Sequence, residues 1–68
     1  MHRRRAEIRL LQIYIAKDPA NAAYFGRLGQ LYEKLGEKAQ ALEAARMAEK
    51  LEPTERNRCR IKHLEEDM

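Results

Sequence analysis

A chain of 68 residues with 44% apolar, 37% charged and only 6% aromatic side chains has room for one small domain around one modest core. Below about 80 residues such a core supplies roughly 3–5 kcal/mol, which argues against a large enzyme cleft, and we read the chain as non-enzymatic. Fourteen Lys and Arg against eleven Asp and Glu leave a net charge of +3, too slight to make the whole chain a polycation.

Val and Ser are absent and Thr occurs once, while Ala, Leu, Glu, Lys, Arg and Gln dominate. This is helix vocabulary and poor material for sheets, so an all-α fold is expected. The basic excess lies at the start, where residues 1–17 carry Arg3, Arg4, Arg5, Arg9 and Lys17 against Glu7. That lead resembles a secretory signal only superficially, because Glu7, Arg9 and Gln12 interrupt the apolar stretch and no small-residue cleavage site follows. No run approaches the ~18 apolar residues of a membrane span. We therefore expect no signal peptide and no membrane partner. A lone Cys59 excludes an internal disulfide and is compatible with a cytoplasmic protein.

The first predicted helix covers residues 4–17 and ends before Asp18-Pro19, since the residue preceding proline avoids the α region and the ring lacks an N–H. Its apolar residues Ala6, Ile8, Leu10, Leu11, Ile13, Tyr14 and Ile15 spread over roughly 220° of a helical wheel, wider than the stripe of an ordinary surface helix. Some of them, Ile8, Leu11, Ile13 and Ile15 foremost, are expected to form an apolar self-association surface. The second helix, 22–35, opens on the N-cap Asn21. It buries Tyr24, Phe25, Leu28, Leu31, Tyr32 and Leu35, which span about 120°. Gly36 closes it in the left-handed conformation, and the short turn forces the third helix, 38–51, antiparallel. That helix is expected to bury Ala41, Ala44, Ala45, Met47, Ala48 and Leu51, small residues against the large ones of its partner.

Pro19 and Pro53 stand 34 residues apart, an offset that prompts a search for repeats. The run Ala22-Ala23-Tyr24-Phe25-Gly26-Arg27-Leu28-Gly29-Gln30-Leu31-Tyr32-Glu33-Lys34-Leu35-Gly36, followed by Ala41, Ala45, Ala48 and Pro53, resembles one complete tetratricopeptide repeat. Phe25, the Leu28-Gly29 pair, Tyr32, Gly36, Ala41, Ala48 and Pro53 match positions of that pattern, and Ala45 stands where an aromatic is usual. The resemblance implies an αα-hairpin solenoid of four helices with right-handed superhelical stacking. Within one domain, residues 1–21 would hold the second helix of a preceding unit, 22–55 the complete repeat, and 54–68 a polar capping helix. In that last helix Thr54 is the N-cap, Ile61 and Leu64 form a narrow stripe, and Cys59, His63 and Glu66 replace Phe25, Gly29 and Tyr32 at the same offset.

The family implies a protein–protein interaction or scaffold role, with peptides bound on a concave face that here would present Ala23, Gly26, Gln30, Glu33 and Lys34. A carboxylate-clamp specificity does not carry over, because Gly26 and Gln30 stand where clamp residues are expected. Stacked repeats generally need about three units to bury a continuous core. The chain is therefore expected either to pair with a copy of itself as a dimer or to belong to a longer array.

Rival chemistry is thin. Cys59 and His63 share a helix face, but a structural zinc site needs four ligands and only distant His2 and carboxylates remain, so no metal or cofactor is expected. No glycine-rich phosphate loop exists, since Gly26, Gly29 and Gly36 fit the helix-packing pattern. The alternative reading is a basic helical nucleic-acid-associated protein using Arg3, Arg4 and Arg5, with Arg56 and Arg60 on one face. Glu55, Glu65, Glu66 and Asp67 offset the second group, and no aromatic is interleaved for base stacking.

Overall fold

Four helices account for nearly all of the chain in a computed structural model that describes residues 3–66. They are α1 (Arg3–Lys17), α2 (Ala22–Lys34), α3 (Lys38–Leu51) and α4 (Glu55–Glu66), and no strand occurs among the described residues. Met1 and His2, part of the basic lead, and Asp67 and Met68, part of the expected capping segment, lie outside the described residues.

Each helix end has a local cause. α1 stops one residue before Asp18-Pro19 and α3 stops before Glu52-Pro53, where Glu52 leaves the helical region at φ −140° and ψ 89°. The Asn21 side chain accepts from the Ala23 amide at 3.0 Å, satisfying a donor that the first turn of α2 leaves without a partner. Thr54 Oγ1 accepts from the Asn57 amide at 3.2 Å in the same way at the start of α4. Gly36 sits at φ +79°, the Gly36 amide donates to Glu33 O at 3.0 Å, and the Glu37 amide donates to Tyr32 O at 2.9 Å. These two bonds are a Schellman closure, and the left-handed residue they require explains the glycine. Replacing it in Gly36→Ala is expected to cost about 1 kcal/mol, because a Cβ disfavours this backbone region. A denaturant midpoint unchanged by that substitution would contradict the account.

The helices pack mainly on their sequence neighbours, α1 on α2, α2 on α3 and α3 on α4, and the described residues span 27 × 26 × 14 Å. One cluster joins Ile8 and Leu11 of α1 to Leu28 and Leu31 of α2 and Ala44 of α3, with Ile15, Tyr24, Tyr32 and Leu35 packed against it. A second joins Ala41 and Ala45 to Leu64 of α4, flanked by Tyr32, Leu42 and Ile61. Phe25, Leu28, Gly29, Ala41, Ala45 and Ala48 are buried, Tyr32 is half-buried, and Gly36 and Pro53 lie exposed in turns.

Two expectations about faces need correction. Met47 and Leu51 were expected inside but remain 39% and 36% exposed. The stripe Ala41, Ala44, Ala45 and Ala48 already covers the contact line, and Met47 and Leu51 fall at its edge. On α1, Ile8 and Leu11 do not face water. At 5% and 7% exposure they are core residues, and Ile15 is half-buried beside them. Their spacing of three and four residues places all three on the side that meets α2. Ile13 is exposed as expected, at 53%, and is joined by Leu10 at 46% and Tyr14 at 41%.

Candidate functional site

Residues 23, 26, 30, 33 and 34 share one side of α2 because three- and four-residue steps stay on one helix face. Phe25, Leu28 and Leu31 take the core side. The structure gathers the five expected residues into two adjoining depressions that have Gln30 in common. Ala23, Gly26 and Gln30 line a groove of about 320 Å³ against α4, and Gln30, Glu33 and Lys34 line the open depression beside it.

The far wall of the groove comes from Arg56, Asn57 and Arg60 on α4, with Glu52 and Thr54 from the preceding turn. Arg60 Nη1 donates to Gly26 O at 3.2 Å, and a Cβ on Gly26 would itself lie 3.2 Å from that nitrogen. The missing side chain at position 26 thus lets the guanidinium reach the α2 backbone. Asn57 fixes the lip by donating its amide to Glu52 O at 2.8 Å and to Ala48 O at 3.4 Å. Arg27, Arg56 and Arg60 face one acid, Glu52, so the lining is cationic overall, although Arg27 also pairs with Glu7 at 2.8 Å. Small residues on the floor and fork-shaped donors on the wall suit an extended chain carrying carbonyl or carboxylate oxygens.

The sequence reading placed Arg56 and Arg60 on a shared face but did not bring them to α2. The signal was present in the 34-residue offset, which pairs Gly26 with Arg60 and Ala23 with Asn57.

The other expected surface, α1, divides in two. Ile8, Leu11 and Ile15 are committed to the core, and only Ile13 of the four self-association residues faces outward freely, with Leu10 and Tyr14. Tyr14 is partly anchored, its ring stacked on Tyr24 at 5.6 Å between centroids.

Four of the nine arginines, Arg5, Arg27, Arg46 and Arg58, pair with glutamates. Arg5 pairs with Glu37 at 2.8 Å, Arg46 with Glu65 at 3.1 Å and Arg58 with Glu49 at 3.6 Å. Exposed pairs of this kind add at most about 1 kcal/mol each; their effect here is to neutralise cations that phosphates would otherwise meet. Cys59 is exposed, and among the described residues no three His, Cys, Asp or Glu side chains gather as a metal site. No helix among the described residues is long and apolar enough to cross a membrane.

Comparison with family models, with curated proteins and with solved structures finds no match to this chain.

Proposed function

We infer that the chain is a non-catalytic interaction module of the tetratricopeptide type, binding an extended protein segment along the α2–α4 groove. In this reading residues 22–55 are the repeat, α1 closes a preceding unit, α4 caps the array, and the stack follows a right-handed superhelix in the cytoplasm. The observation that carries it is the groove itself: Ala23, Gly26 and Gln30 of α2 are opposed by Arg56, Asn57 and Arg60 of α4. The Arg60 to Gly26 bond supports the repeat, because it joins residues 34 positions apart, as stacked units in register would. The alternative, nucleic-acid association through Arg3, Arg4 and Arg5 with Arg56 and Arg60, keeps Arg3, Arg4 and Arg56 as exposed cations but has Arg5 paired with Glu37 and Arg60 bonded to the Gly26 carbonyl.

The test is to select peptides from a random display library against the full chain and map one of them by amide chemical shifts. Shifts are expected around Gln30, Lys34, Asn57 and Arg60, and Gln30→Ala should weaken binding several-fold, by about 1 kcal/mol, through the loss of its hydrogen bonds. Peptides that shift only residues elsewhere, or a selection that yields none, would remove this reading.

A further inference from the structure

α1 carries two apolar seams. Ile8, Leu11 and Ile15 form the inner one, and Ala6, Leu10 and Ile13 form the outer one, centred about 165° away on a wheel of 100° per residue. The outer seam continues at the same three- and four-residue steps through Arg3 at one end and Lys17 at the other, giving the positions 3, 6, 10, 13 and 17 of a two-heptad face. Every residue of that face is exposed.

We propose that the outer face of α1 docks an acidic amphipathic helix, one with apolar residues at heptad spacing and glutamate or aspartate beside them. Spacing specifies the shape of the partner, because a seam of steps three and four meets its match in another helix. An extended segment has no sheet edge to join among the described residues. Charge specifies the flanks. Arg3 and Lys17 close the seam at its two ends and Arg9 borders it, and the nearby acid, Glu7, is held by Arg27 at 2.8 Å, which leaves the rim of the seam cationic.

The same charges disfavour a second copy as the occupant. Two antiparallel α1 helices crossing at Leu10 set Arg3 opposite Lys17, and a parallel pair sets Arg3, Arg9 and Lys17 each against itself. Either arrangement stacks like charges along a narrow seam, whereas acidic flanks turn each of these contacts favourable. This inference rests on α1 being an interface and is independent of the groove between α2 and α4.

A labelled synthetic three-heptad helix with leucine at both seam positions and glutamate at both flanking positions is the probe, beside its lysine-flanked counterpart, read by anisotropy against the full chain. The glutamate probe is expected to bind, the lysine probe at least about tenfold more weakly, and the difference to shrink as salt rises from about 50 to about 500 mM. Ile13→Glu should abolish binding with no change in melting temperature, since the side chain is 53% exposed; Ile13→Gln should weaken it without adding charge, and Arg60→Glu in the groove should leave it intact. Equal binding of the two probes, or binding of neither, overturns the proposal. So does sedimentation of the protein alone as a dimer that Ile13→Glu dissociates, which would make a second copy the occupant. Either failure leaves the peptide reading of the groove standing, because its readout is the shifts at Gln30 and Arg60.

Discussion

Gly29→Leu is expected to remove much of the chain's stability. A Cβ built on Gly29 lies 3.4 Å from Ala41 O, 3.6 Å from Ala44 Cβ and 3.7 Å from the Ala45 backbone nitrogen. Those distances leave room for one methyl group and nothing beyond it. A leucine would have to push α3 away from α2 along the line where Ala41, Ala44 and Ala45 are at most 5% exposed. Overpacking of this kind costs about 1–3 kcal/mol and sometimes more, against a total of roughly 3–5 kcal/mol for a domain of this size. Gly29→Ala is the informative companion. Its methyl group fits at ordinary contact distance, and alanine gains about 1 kcal/mol in helix propensity over glycine, so it should melt at or above the parent temperature. Thermal unfolding followed by far-ultraviolet circular dichroism checks both. A leucine variant as stable as the parent would mean that α2 and α3 do not approach as closely as described.

Truncating Leu64 should be at least as damaging. Leu64 is 0% exposed on a mostly polar helix and, beside half-buried Ile61, fits against Ala41 and Ala45, two small residues that leave space for it. Leu64→Ala removes the large side chain filling that space, and buried leucine truncations cost about 2–5 kcal/mol including the cavity. Neighbouring alanines cannot grow to fill the gap, which places the expectation in the upper half of that range. The control is Ile13→Ala, which removes a similar volume from a position 53% exposed and should shift stability by no more than about 0.5 kcal/mol. Urea denaturation of the two variants beside the parent is sufficient. Comparable losses at both sites would mean that α4 contributes no more to the core than the outer side of α1.

Much of the architecture was legible because its signals are local. Pro19 and Pro53 end helices through sterics within one residue, Asn21 and Thr54 cap through bonds spanning two or three residues, and Gly36 turns the chain at φ +79°. The first three helices therefore begin and end within one residue of the expected bounds, and the fourth begins within one residue of its own. The buried side of α2 was equally plain, since Phe25, Leu28 and Leu31 fall on one stripe with charges opposite. Periodicity marked the other side of α2 only as solvated; its reading as a peptide face came from the resemblance to the tetratricopeptide pattern.

The groove was half visible. Gln30 and Lys34 could be placed on the open side of α2, but the wall formed by Arg56, Asn57 and Arg60 depends on how α4 packs, and no interaction within α4 reports that.

Sequence by itself determined that this chain is four helices, where each ends, and which side of α2 is inward. The tertiary structure alone decided which side of α1 is inward. Both of its seams are apolar and both keep helical spacing, so periodicity cannot choose between them. The choice falls to Leu28, Leu31 and Ala44, a surface more than ten residues away in the chain, which receives Ile8 and Leu11 and leaves Leu10 and Ile13 in water. Helix ends are set by backbone bonds that close within a turn. A helix face is set by the shape of a remote partner, and that shape exists only once the chain has folded.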